Sequence, residues 1–426
     1  MDSLKLFEAA LGLTAPWKVD AISFDPKAEG ARAIEIRLTF PRGSRFACPQ
    51  PGCGEQCPVH DTREQRWRHL DFFQYKAFLI APVPRTTCPT HGVLTFTGVS
   101  WAREGSGFTL LFEALVMLLA AEMPVRALAR MTDEHDTRLW RVIQRHVEEA
   151  REAVDMSKVR ELVVDETSRS RGHEYVTLFV EPGEDQARVL HVADGRSADT
   201  FKEFCTVLKA HGGAPEKIRD TCMDMSEAFQ KGAAEHLPKT EVTFDRFHVV
   251  KLVSTALDEV RRLERGERPE LKHSRYSWLK NPENLSQRQA EKLLGLKALN
   301  LKTGKAYQMK LNIQEVWRQP SVAAARRVLR AWCSWVVRDS KPRKGVPTSG
   351  LEPMLRVART VREKLRGILN YFRRRLTSGV IEGINSYVQA ARARARGYRN
   401  PYTFKTMIYL IAGRLQFSLP SLTHNG

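Results

Sequence analysis

The residues that most restrict the fold are Leu162-Val163-Val164, followed at once by Asp165, Glu166 and Thr167. A continuous apolar run this short fits a strand covered on both faces, so layers must lie on either side of it. The order downstream tightens the constraint. Residues 174–180 and 188–193 read as two further strands, with Pro182-Gly183-Glu184-Asp185 as the turn between them. A helix from 197 to 210 ends at Gly212-Gly213. Residues 217–224 form a strand that finishes in an acid, a helix opens at Ser226, and 241–244 make a fifth strand.

Three antiparallel strands followed by helix–strand–helix–strand is the order of an RNase H-like core. Order alone assigns no activity, but the acids do more. Asp165 and Asp224 close two core strands, and Glu382 opens a late helix within Ser378-Gly379-Val380-Ile381-Glu382-Gly383-Ile384-Asn385. Glu382 is the last acid in the chain; Arg392, Arg394, Arg396 and Arg399 follow it without compensation. Hard carboxylate oxygens suit magnesium. Two such ions about 4 Å apart activate an attacking oxygen and stabilise a leaving one at phosphorus. The arginines then form a phosphate-tracking surface beside the metal ligands. Each acid also has a plain structural use, as a turn or helix-start residue.

Charge points the same way. The chain of 426 residues carries 68 Lys+Arg against 49 Asp+Glu, a net +19, which favours a polyanionic partner. No stretch is apolar and long enough to span a bilayer; 108–123 contains Glu113 and Glu122. Asp2, Lys5 and Glu8 interrupt the N-terminus, so no secretory signal is expected.

Of the seven cysteines, four lie between 48 and 88. Cys48-Pro-Gln-Pro-Gly-Cys53 and Cys88-Pro-Thr-His91 each place two soft ligands in a tight turn, as a tetrahedral structural zinc site requires. Cys57 and His60 are rival ligands. Between the pairs, Trp67 to Tyr75 is basic and aromatic, and fits either a DNA-facing surface or the core of a small module. Residues 108–122, 125–131 and 137–150 read as three helices. On the third, Leu139, Val142 or Ile143, and Val147 face inward, while Arg138, Arg141 and Arg145 share the opposite face. That suits a helix-turn-helix with its third helix in the major groove; the plain alternative is a solvated basic helix. Residues 249–376 are helical. Their Trp278, Trp317, Trp332 and Trp335 fit a bundle core better than a DNA clamp. Lys341 to Pro347 reads as an exposed basic loop.

The motifs CPTHG, RWRHLDFF, WAREGSGFT, MPVRALAR, VVDETS, MDMSEAF, TFDRFHVVKLV and SGVIEGINSYVQAARARARGYRN are together highly specific. In them the chain resembles the bacterial insertion-sequence transposases of the ISL-three family over nearly its whole length. The resemblance implies an α+β multidomain protein in five parts. These are a zinc-binding module (1–100), a helix-turn-helix domain (101–156), the first part of an RNase H-like catalytic core (157–250), a helical insertion (251–377) and closing helices (378–426). It implies that Asp165, Asp224 and Glu382 are a DDE triad holding two magnesium ions, or manganese in their place, with Asp220 and Asp245 as lesser neighbours. The implied activity is cut-and-paste transposition: hydrolysis at the element end, then attack of the freed 3′-hydroxyl on target DNA. The expected partners are the terminal inverted repeats and target DNA, with a homodimer or larger homo-oligomer in the active complex. A cytoplasmic, nucleoid-associated bacterial protein with no membrane partner is expected. The alternatives are an RNase H-like nuclease without joining activity and a non-catalytic, transposase-derived regulator.

Overall fold

The structure, a computed structural model, describes residues 3–25, 32–170, 172, 174–183, 186–342, 348–374 and 379–422. Part of the expected turn at 182–185, most of the basic loop at 341–347, and Ser378 lie outside the described residues. The chain divides into two units, Met1–Arg151 with Leu415–Gly426, and Glu152–Arg414.

The first unit opens with α1 (Ser3–Ala10), then β1 (Lys18–Asp25), β2 (Ala33–Thr39), β3 (Arg45–Ala47), β4 (Gln56–Arg68), β5 (Lys76–Cys88) and β6 (Gly92–Thr95). The sheet runs β1-β2-β5-β4-β3, with β6 also on β5. Ile34, Ile36 and Leu38 alternate into its core, as the period-two pattern of β2 requires. The 67–75 stretch is core at its start and exposed further on. Trp67 and Arg68 are buried, and Trp67 meets Trp101 edge-on at 5.6 Å, whereas Phe73 is 83% exposed.

Three helices follow: α2 (Leu110–Glu122), α3 (Val125–Thr132) and α4 (Asp136–Glu152). The first begins two residues later than its apolar pattern, because the Thr109 hydroxyl caps it by accepting from Phe112 N–H at 3.3 Å. Glu113, fully buried, ties α2 to α4: it accepts from Ser106 at 2.6 Å and pairs with His146 at 2.7 Å and Arg103 at 3.0 Å. Burial alone would raise its pKa, but these partners bring it below the usual value.

The second unit has β7 (Glu161–Ser168), β8 (Tyr175–Glu181), β9 (Arg188–Asp194), α5 (Asp199–Ala210), β10 (Asp220–Met223), α6 (Glu227–His236) and β11 (Glu241–Phe244). Its sheet order is β11-β10-β7-β8-β9. β7, β8 and β9 are antiparallel neighbours, while β10 runs parallel to both β7 and β11. Leu162 and Val164 pack with Phe179, Phe201, Phe204 and Phe229 on the α5–α6 face. Val163, Leu178 and Val192 are buried on the other. The Leu162–Val164 run is therefore covered on both sides.

Helices fill the rest: α7 (Arg246–Glu264), α8 (Arg275–Leu279), α9 (Gln287–Lys297), α10 (Lys302–Gln314), α11 (Val322–Asp339), α12 (Glu352–Glu363), α13 (Leu365–Arg374), α14 (Gly379–Arg394) and α15 (Pro401–Ala412). From α7 to α13 they share one core that includes Trp278, Tyr307 and Trp332, with Trp317 and Trp335 packed against it. The tryptophans thus serve as a bundle core. On α7, Val249, Val253, Ala256 and Val260 are buried in it, whereas Leu263 is exposed. Glu264 caps α10 by accepting from Lys302 N–H and Thr303 N–H at 2.8 and 2.7 Å. α13 lies tight on β11, where a side chain at Gly367 would collide with the Phe244 ring. α15 is pinned to β9 by Val192 N–H donating to the Tyr409 hydroxyl at 2.9 Å. Among the described residues no helix is long and apolar enough to cross a membrane.

Candidate metal centres and nucleic-acid surface

In the first unit, turns deliver the soft ligands. Cys48 follows β3, Cys53 closes a turn through its N–H to Gln50 O at 3.2 Å, Cys88 ends β5, and His91 lies in the turn before β6. Cys48 Sγ and Cys88 Sγ stand 3.7 and 3.5 Å from His91 Nδ1, and Cys53 Sγ stands 3.7 Å from Cys88 Sγ. A tetrahedron with metal–sulfur bonds of about 2.3 Å has edges of about 3.7 Å, so this set fits zinc. Burial would raise the Cys88 thiol, but donors from His91 and Thr90 hold it down to about 6, toward the ligating thiolate. The rivals stand aside. Cys57 is buried next to the cluster with its thiol on Glu55 O at 3.6 Å, and His60 pairs with Asp61 at 3.4 Å.

On α4, Leu139, Val142, Ile143 and Val147 are buried, leaving Arg138, Arg141 and Arg145 on the outer face. Arg138 pairs with Glu134 and lies over the Phe108 ring at 4.2 Å; Arg145 pairs with Glu149 at 2.7 Å.

In the second unit the acids converge through sheet register. β10 pairs with β7 at Cys222 and Val163, and with β11 at Met223 and Phe244. Extending the first register by two residues and the second by one brings Asp224 level with both Asp165 and Asp245. Asp165 does not end its strand, as the sequence reading expected. β7 runs on to Ser168 paired with β8 alone, so Asp165 sits where β10 has stopped and the sheet surface opens. Asp220 begins β10, at the far end from this row.

Desolvation pushes the Asp165 carboxyl up to about 6, against the Glu166 N–H and His248, while Asp224 and Asp245 add to the rise. Asp224 accepts from Ser226 N–H at 2.8 Å. Asp245 is buried, caps α7 by accepting from Phe247 N–H, and accepts from His248 Nδ1 at 2.9 Å. That bond raises the His248 pKa, with Asp165, Asp245 and Asp224 adding to it against desolvation.

Glu382 lies in the first turn of α14 and is exposed. The helix grips β7 one and two turns later. Asn385 Nδ2 donates to Asp165 Oδ2 at 2.9 Å, and Gln389 Nε2 donates to Thr167 Oγ1 and Ser168 O, each at 2.8 Å. Glu382, Asn385 and Gln389 are spaced three and four apart, so they share this face of the helix. Among the described residues, Cys48, Cys53, Cys88 and His91 form the one group of three or more His, Cys, Asp or Glu with ligand atoms within 4.8 Å of one another. The three carboxylates stand further apart. Asn385 Oδ1 is buried beside Asp165 with no partner among the described residues. Arg392 is half-buried and donates to Ser168 O at 2.7 Å, while Arg394, Arg396 and Arg399 are exposed.

Sequence reasoning passed over His248, Asn385 and Gln389. Their signals were present: Asp245 and His248 at cap and third-residue positions of a helix, and the 382/385/389 stripe.

Comparison with known proteins agrees with these parts. Residues 44–91 match the zinc-finger of transposase IS204/IS1001/IS1096/IS1165, residues 99–147 the helix-turn-helix domain of transposase family ISL3, and residues 162–408 the transposase domain of that family. The transposase for insertion sequence element IS1001 of Bordetella parapertussis is 29% identical, covering 88% of this chain and 90% of its own length. The transposase for insertion sequence element IS1557 of Mycobacterium tuberculosis is 26% identical, covering 100% and 99%. With its acids drawn from 165 to 382 inside the longest of these matches, the chain belongs to the ISL3 family of insertion-sequence transposases.

Proposed function

We propose that this DNA transposase cuts and joins DNA at Asp165, Asp224 and Glu382, which hold two magnesium ions, or manganese in their place. The level row of aspartates across three adjacent parallel strands supports this reading most, because Asp224 and Asp245 each raise the cost of ionising Asp165, a cost that cations in the row would relieve. The donor set is all hard oxygen, and the unpartnered Asn385 Oδ1 suits a hydrated cation. Bound magnesium would supply acidity to an attacking water or 3′-hydroxyl and neutralise charge on the leaving oxygen. Asn385 fixes which Asp165 oxygen faces the pocket. The Ser226 N–H does the same for Asp224. The α14 stripe aims Glu382 toward the row.

The sheet and its α5–α6 layer constitute the RNase H-like core within 157–250, helices within 251–377 its insertion, and 378–426 its closing part. Residues 1–100 and 101–156 serve as the zinc-binding and helix-turn-helix modules that bind the element ends, with Arg138, Arg141 and Arg145 on the DNA. Arg394, Arg396 and Arg399 track phosphates beside the acids, while Arg392 acts mainly by holding the end of β7. Two ends must be joined together and one triad serves one end, so a homodimer or larger assembly acts, in the bacterial cytoplasm on nucleoid DNA.

The test is incubation of the purified protein and magnesium with a plasmid carrying the element's two ends. Excision with insertion into target DNA is expected. Cutting without joined product would favour a nuclease, and binding without cutting a regulator.

A further inference from the structure

A histidine belongs to the acidic pocket as well. Asp245 and His248 form an oriented pair on α7. Asp245 is 2% exposed and receives the His248 Nδ1 proton at 2.9 Å. The imidazole itself keeps 27% of its surface open, and its Nε2 has no hydrogen-bond partner among the described residues. With Nδ1–H held on the buried carboxylate, Nε2 faces outward: it accepts while the ring is neutral and donates once the ring carries its second proton, the state that the bond to Asp245 favours. Asp165 on β7, Asp224 after β10 and Asp245 on the ring's own helix all lie within electrostatic range of this ring. The ring therefore lies beside the aspartates that the proposed function assigns to DNA strand cleavage.

Such a place suits an anion already bound by the site. The scissile phosphate has two non-bridging oxygens, and metal ions need not satisfy both. A preorganised donor at one of them stabilises the charge that builds up during attack. We propose that His248 is a further catalytic residue, donating from Nε2 to a non-bridging oxygen of the scissile phosphate, and that Asp245 is its positioning residue. This rests on the carboxylate reading above and adds a group outside the acidic triad.

The rival role is structural: the pair would merely pin the first turn of α7. Two variants separate the roles. His248→Asn places an amide N–H near Nδ1, keeping the bond to Asp245 and losing the outward donor. His248→Gln places its amide near Nε2, keeping the outward donor and losing Asp245. Single-turnover cleavage is measured with the full chain, magnesium and a duplex bearing the element's own terminal repeat, beside end binding and thermal unfolding.

His248→Asn should cleave about 10²-fold more slowly with binding and unfolding midpoint preserved, while His248→Gln recovers about a tenth or more of the wild-type rate. A methylphosphonate diastereomer at the scissile position that slows the wild type should slow His248→Asn no further. The reverse order, with Asn active and Gln slow and less stable, overturns the proposal. So does cleavage by both variants within about threefold of wild type. In either case a wild type that cleaves leaves the carboxylate reading standing. A wild type that binds its ends and cuts nothing overturns both.

Discussion

The zinc cluster and the carboxylate row are both sets of metal-ligating side chains, yet they are built in opposite ways. The soft set comes as two local pairs, Cys48 with Cys53 and Cys88 with His91, each inside one turn. Their ligand atoms already lie 3.5–3.7 Å apart along the measured edges. The hard set comes from two strands of one sheet and a helix that returns much later in the chain. Its third member, Glu382, stands exposed in the first turn of α14. A site whose ligands are local can close around an ion and become part of the fold. A site assembled from distant elements can stay open on one side, which is what a substrate that must enter between its ligands needs.

The largest effect that would break this contrast lies on the zinc side. Chelation, or Cys88→Ser, should unfold the sheet module of the first unit, because structural zinc contributes about 10 kcal/mol or more to small modules of this kind. Limited proteolysis should show residues 1–100 becoming cleavable while the β7–β11 sheet stays protected. A chelated protein with that module still resistant would make the cluster incidental.

The carboxylate row should behave in the reverse sense. Burial sets the Asp165 pKa at about 6, above the ordinary 3.8. Between these values the folded form holds a proton that the unfolded chain has released. Stability therefore falls as pH rises through this window, and the loss persists above it. At about 1.4 kcal/mol per unit, Asp165→Asn should stabilise the metal-free protein at pH 7.5 by up to about 3 kcal/mol, and by much less at pH 4.5. Added magnesium or manganese should raise the unfolding temperature of the wild type but not of the variant. A variant less stable than wild type at pH 7.5 would show that Asp165 is not under charge stress.

The smallest effects sharpen the zinc side. His60→Ala should change stability by less than about 0.5 kcal/mol, and Cys57→Ser by about 1 kcal/mol, with one zinc per chain retained in both. Loss of zinc in either would move that residue into the ligand set.

What could be read from the sequence follows the same division. Local chemistry was legible: turn-borne ligand pairs, the Leu162–Val164 run, and the inward stripe of α4. Elements stabilised by distant partners were not. β4 carries Asp61, Arg63, Glu64 and Arg66 on a largely exposed surface, and it holds its place by pairing with β5 and through ion pairs such as Arg37 with Glu64. β5 contains Pro82 and Pro84, which argue against a central strand. They are tolerated because β2 pairs with β5 only as far as Ile80. The acids could be picked out singly, but their alignment depends on a register between strands far apart in sequence. Asn385 and His248 acquire meaning only once α14 and α7 are set against that row.

Glu382 carries the central claim, because it comes from furthest along the chain and is the one exposed member of the triad. Single-turnover cleavage by Glu382→Ala, in magnesium and on a duplex carrying the element's terminal repeat, tests it directly. End binding and thermal unfolding are measured on the same protein. The rate should fall by about 10³-fold or more with binding and folding unchanged. A folded Glu382→Ala protein that binds its ends and cleaves at a near-normal rate would contradict the assignment and leave Glu382 as a helix-start acid.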